Sequence, residues 1–140
     1  MQVTGVVADP DTVSCARGGP AATEATYSIM WDLEIVNTTA QDVTVNNVSS
    51  TGSVIRGTDP ADLGQPAHVF GALPIADGPV VVPAKGGHVT MEVGMTAGCG
   101  SGSVPAQYYR DIETTLRVTT SSGQLSATPT TIHVVWQPAA

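Results

Sequence analysis

Tyr27-Ser28-Ile29-Met30-Trp31-Asp32-Leu33-Glu34-Ile35-Val36 decides the fold class of this 140-residue chain. Its odd positions carry Tyr27, Ile29, Trp31, Leu33 and Ile35. Its even positions carry Ser28, Asp32 and Glu34, with Met30 the exception. Alternation with period two places one set against a core and the other in water, the pattern of a half-buried β-strand. A helix would carry Asp32 and Glu34 into its own apolar stripe.

The same pattern continues on both sides. Asn37-Thr38-Thr39-Ala40 reads as a turn. Residues 42–50 resume as a strand with Val43 and Val45 on one face, and Val48 breaks the parity, so a bulge is expected near Asn46-Asn47. Residues 88–96 place Val89, Met91, Val93 and Met95 on one face. Val80-Val81-Val82 precedes them, joined through Pro83-Ala84-Lys85-Gly86-Gly87. Residues 111–121 and 124–137 flank the turn Ser121-Ser122-Gly123 and form a closing hairpin. Pro129 inside the last run implies an edge position or a break. Residues 2–8 make a first strand, and 67–73 is the one strand expected between Thr51 and Pro79. Seven short strands and no amphipathic helix predict an all-β sandwich or barrel spanning residues 1–140 as one domain.

Composition agrees and narrows the role. Charged residues are 12% of the chain, about half the usual share, and Val and Thr, which favour strands, are abundant. The net charge is −7, and the five cations, Lys85, Arg17, Arg56, Arg110 and Arg117, are scattered. Phosphate backbones and anionic membranes need clustered cations, so neither nucleic acid nor a membrane surface is an expected partner. No run approaches 18 apolar residues, and residues 1–15 lack a basic segment followed by an apolar one. The expectation is therefore either a signal already trimmed or release from the cell by another route, as for a virion component.

Cys15 follows the first expected strand and Cys99 the fifth. Alternating strands put both at one pole, which permits a Cys15–Cys99 bridge across 84 residues (99 − 15). Both cysteines read as loop residues, leaving Trp31 with no core disulfide to pack on. Such a bridge implies an oxidising compartment. It also implies that Thr51 to Pro79 holds one crossing of the sandwich, not two.

No residue set carries a reaction. Met30, Met91, Met95 and the histidines His68, His88 and His133 have side chains suited to copper(I). Strand parity, however, points Met91 and Met95 inward with Val89 and Val93, and His88 outward. Serines, histidines and aspartates occur without a nucleophile elbow. Asp32 with Glu34, and Asp111 with Glu113, lie on solvent faces. Asp9, Asp11, Asp59 and Asp62 offer oxygen ligands for calcium, but without EF-hand spacing. Asn37-Thr38-Thr39 and Asn47-Val48-Ser49 match the N-glycosylation pattern. The expectation is no catalytic residue, no metal, no cofactor and no small-molecule substrate.

From Tyr27 to Trp136 the chain resembles the immunoglobulin-like sandwiches common in bacterial surface proteins and phage virions. The resemblance is carried by the alternating strand around Trp31, the turn Pro83-Ala84-Lys85-Gly86-Gly87 before a strand, and the closing hairpin. Tyr108, inward by parity just before the sixth strand, resembles the tyrosine corner of such sandwiches. Lys85, in a loop, departs from the terminal-strand lysine of isopeptide-linked adhesin domains. The resemblance implies an immunoglobulin-like antiparallel Greek-key sandwich of about seven strands. It further implies a non-enzymatic secreted or surface-exposed module that contacts a protein partner or itself. A virion decoration or capsid-associated protein forming a symmetric oligomer is the alternative. Contacts are expected at the loops 9–24, 51–66 and 97–107, which should share a pole, or at an edge strand.

Overall fold

The computed structural model describes residues 1–16, 26–99 and 107–137. In chain order these form β1 (Gln2–Asp9), β2 (Thr12–Ala16), β3 (Thr26–Asn37), β4 (Val43–Gly57), β5 (Val80–Val82), β6 (Gly87–Gly98), β7 (Tyr109–Thr120), β8 (Gly123–Ser126) and β9 (Thr130–Gln137). One sheet has the order β1-β3-β6. The other has the order β2-β9-β7-β4-β5, with β8 also paired to β7. All neighbours are antiparallel except β2 and β9, which are parallel. The chain is thus all-β, two sheets packed as a sandwich. The first strand starts in one sheet and, past Asp9-Pro10, continues as β2 on the edge of the other. This sheet order is immunoglobulin-like.

The alternation in β3 builds the core. Ile29, Trp31, Leu33 and Ile35 are fully buried, and Val45, Val48, Leu116, Val118, Ile132 and Val134 of the other sheet are buried with them. Burial of each such side chain contributes roughly 1.5–3 kcal/mol, an upper figure. The indole of Trp31 needs an acceptor inside this layer, and its Nε1–H donates to Thr130 Oγ1 at 3.0 Å. Thr130→Val keeps the shape and removes the acceptor. It is expected to cost about 2 kcal/mol in urea unfolding, while Thr130→Ser costs much less.

The bulge expected near Asn46-Asn47 is present as a register shift between Val45 and Asn47. The strand does not stop at 50. It runs to Gly57, with a second shift between Val54 and Arg56. The run 124–137 is broken around Pro129 into β8 and β9, both paired to β7.

Among the described residues nine strands stand where about seven were expected, and two further expectations fail. Residues 67–73 are not a strand. The segment descends beside β4 through isolated bridges, Ser53 with Pro66 and Ser50 with Phe70, and Leu73 N–H donates to the Val48 carbonyl at 2.7 Å. Pro66 lacks a donor, and His68 takes a left-handed backbone, φ 55°, so a continuous ladder cannot form. Gly52 permits this close approach, since a Cβ there would lie 2.6 Å from the Ala67 carbonyl oxygen. The segment next touches the other sheet at Ile75–Val93, and the crossing ends in β5 against Val43–Val45.

The second failure concerns the cysteines. Cys15 lies within β2, not in a loop, and Cys99 directly follows β6. They form a disulfide with a Cα–Cα distance of 5.7 Å. Both are buried, so the bridge ties the two sheets together inside the core. Thr12-Val13-Ser14-Cys15 does alternate polar with apolar, but the run is short and lies between Asp9-Pro10-Asp11 and Arg17-Gly18-Gly19-Pro20, whose composition reads as loop.

Candidate interaction surfaces

The disulfide pole is built from residues of both sheets. Cys15 stands opposite Trp136 in the β2–β9 pairing, and Trp136 Nε1 donates to the Cys99 carbonyl at 3.0 Å. The core disulfide therefore has a tryptophan beside it, and that tryptophan is Trp136. Tyr108 meets the Trp136 ring edge-on, centroids 5.2 Å apart, and the Arg110 guanidinium lies 5.2 Å from the Trp136 ring centroid. Tyr108 donates its hydroxyl proton to the Asp62 carboxylate. Arg110 donates from Nε to Asp62 at 3.1 Å and from Nη2 to the Tyr108 oxygen at 2.9 Å. Burial and the Asp62 hydrogen bond raise the Tyr108 pKa, with Arg110 opposing. Tyr108 is inward as expected. Its hydroxyl reaches a side chain 46 residues upstream, however, and not the nearby backbone of a tyrosine corner.

A second buried polar group lies between the sheets. His68 Nε2 is 2.6 Å from Tyr27 Oη, and Nδ1 is 2.8 Å from Thr114 Oγ1. Ser50 Oγ donates to the His68 carbonyl at 2.7 Å. Burial lowers the His68 pKa to about 4 and pushes the Tyr27 pKa up to about 12. The imidazole is therefore neutral near pH 7. It has no solvent face and serves the scaffold.

On the outer face of the second sheet, Asp111 joins His133 Nδ1 at 2.5 Å and Arg56 Nε at 2.9 Å. Burial raises the Asp111 pKa, but the hydrogen bonds to His133 and Arg56 outweigh it and hold the carboxyl below its usual value.

The outer face of the first sheet has a different character. Asp9, Asp32, Glu34 and Glu92 stand on it, with Asp32 directly opposite Glu92 across β3 and β6. No lysine or arginine occurs in β1, β3 or β6. Met30 and Val7 are exposed on the same face. A shallow groove of about 560 Å³ lies beside it, lined in part by Met30, Phe70, Leu73, Pro74, Ile75 and Met95.

The other singled-out residues are placed as follows. Met91 and Met95 are buried in the core, while His88 is exposed. Asp59 caps the short helical turn Pro60–Asp62. Asp62 is taken by Arg110, and Asp9 and Asp11 stand where β1 passes into β2. No group of three metal-ligating side chains forms among the described residues. Asn37, the first glycosylation candidate, is fully buried, and its amide donates to the Gln41 and Val82 carbonyls. Asn47 Nδ2 donates to the Gly71 carbonyl. The described parts of 51–66 and 97–107 do meet, through Thr58 Oγ1, which donates to the Gln107 carbonyl at 3.2 Å. Residues 17–24 and 100–106 lie outside the described residues. Sequence reading missed the Asp62–Tyr108–Arg110 linkage, which joins residues 46 and 48 positions apart without a motif.

No family model matches the chain, and no curated protein matches it. Several solved structures align with most of its length, each with a low TM-score. One is the structural-genomics target SoR45, 10% identical over 91% of this chain and 82% of that chain, with a TM-score of 0.45. Another is the PapD-like domain 7 of human CEP192, 14% identical over 99% and 88%, with a TM-score of 0.37. A third is the CooA pilin subunit of enterotoxigenic Escherichia coli, 11% identical over 96% and 99%, with a TM-score of 0.35. Likenesses this distant say nothing of role.

Proposed function

We propose that the chain is a non-enzymatic module, secreted or displayed at a cell surface, that works through protein–protein contact. One observation carries this reading. The buried polar side chains His68, Asn37 and Tyr108 are committed to bonds within the scaffold, whereas one broad sheet face keeps carboxylates that pair with no cation among the described residues. A face of one sign is a surface for recognition. The buried inter-sheet disulfide supports an oxidising compartment.

A photoreactive amino acid placed singly at Val7, Leu63, Val69 or Val81 tests this in the source cells. These side chains are exposed on different parts of the surface. The expected result is a discrete protein adduct from one region only. No adduct from any position overturns the reading. The second reading, a virion decoration protein, requires a symmetric oligomer. Size-exclusion with light scattering decides between them: a stable trimer favours the virion role, and a monomer favours the first reading.

A further inference from the structure

We infer that the free edge of β1 accepts an extended strand from a partner protein that carries lysine or arginine at alternate positions. This deepens the contact reading above and rests on it. β1 pairs only with β3, and among the described residues its other edge has no backbone partner. Natural edge strands are usually blunted by lysine, proline or inward charge. Residues 2–8 carry none of these. A bulge between Val3 and Gly5 disturbs one end, but Gly5 to Asp9 pair regularly with Glu34 to Met30. Val7, in the middle of that regular run, is 61% exposed.

Charge complementarity names the occupant. Outward side chains of an added strand would stand beside Gly5, Val7 and Asp9. The next row holds Glu34 and Asp32, opposite Gly5 and Val7. That row lies about 10 Å from the added strand, two strand spacings. Gly5 has no side chain, so a long cationic side chain can cross it toward Glu34. Beyond lies Glu92, opposite Asp32. None of Asp9, Asp32, Glu34 and Glu92 makes an ion pair among the described residues. Like charges set directly opposite oppose sheet formation, and an incoming row of cations relieves that repulsion. A second copy of this chain is a poorer occupant, because it would bring four more carboxylates to the same seam. Main-chain hydrogen bonds would supply affinity and the alternate cations specificity.

The test uses the purified full chain and a labelled, end-capped nine-residue peptide alternating lysine and valine. Fluorescence anisotropy measures binding, and hydrogen exchange locates it. Binding should newly protect those amides from Gly5 to Ala8 that face away from β3. The double variant Asp32→Asn/Glu34→Gln should weaken it about tenfold. A glutamate–valine peptide should not bind, nor should the lysine peptide methylated on alternate backbone nitrogens. The inference is overturned by no binding, by protection at another edge, by equal binding of the glutamate peptide, or by a β1-to-β1 dimer. An unaffected double variant overturns it too. If the photoreactive scan captures a partner from Leu63 while β1 stays unprotected, the contact reading stands and the β1 inference alone falls.

Discussion

Replacing both Cys15 and Cys99 with alanine is expected to remove about 4.5 kcal/mol of stability, the chain-entropy figure for a closed loop of 84 residues. Folded domains of this kind hold only about 5–15 kcal/mol in total. The loss therefore consumes about 30% or more of the margin. Burial adds to the effect, because the two sulfur atoms fill space between the sheets beside Trp136, and alanine leaves a void there. Urea unfolding of the oxidised wild type, the reduced wild type and the double variant measures it. The reduced protein should fall near the variant. A thiol count on the denatured, non-reduced wild type should find none. Similar midpoints for oxidised and reduced protein would show that the bridge contributes little.

Acid should weaken the fold through His68. Its pKa stands at about 4 in the folded chain, against 6.5 for the free side chain. Between those values the unfolded chain binds the proton and the folded chain does not, so falling pH favours unfolding. The stabilisation is complete above about pH 6.5 and is lost as pH drops toward 4. A difference of this size corresponds to about 3 kcal/mol. Tyr27 and Thr114, which flank the ring, supply no negative charge that would hold the imidazolium. Asp111 adds a further loss only at lower pH, where its depressed carboxyl finally protonates. Melting temperature followed from pH 7.5 to 4 should fall steeply for the wild type. His68→Asn tolerates the left-handed backbone and lacks the titrating group, so its profile should be flatter over that window. Parallel profiles would remove His68 as the cause.

How much of this was legible in the sequence depended on segment length. β3, β6 and β7 are each 12 residues long, and their alternation identified both the strand and its inward face. Met91 and Met95 were placed inward, and His88 outward, by parity alone. β2 alternates too, but only over Thr12 to Cys15, between stretches rich in Asp, Pro and Gly that read as loop. Cys15 therefore reads as a loop residue, although the parity of crossings puts it at the pole where the structure has it. The run 67–73 has strand-like composition, but its register is spoiled by Pro66 and by the left-handed turn at His68. No local pattern shows that His68 will be buried against Tyr27 and Thr114, 41 and 46 residues away.

By itself, the sequence determined the all-β class, the inward and outward residues of the long strands, and the placing of Cys15 and Cys99 at one end. Those properties follow from a period of two and a count of crossings, both local to the chain. Only the tertiary structure decided that the bridge joins the two sheets inside the core, that Trp136 lies beside it, and that Asp32 faces Glu92. Each of these depends on which strands become neighbours and in what register. That outcome is set by the packing of the whole sandwich, and no single segment encodes it.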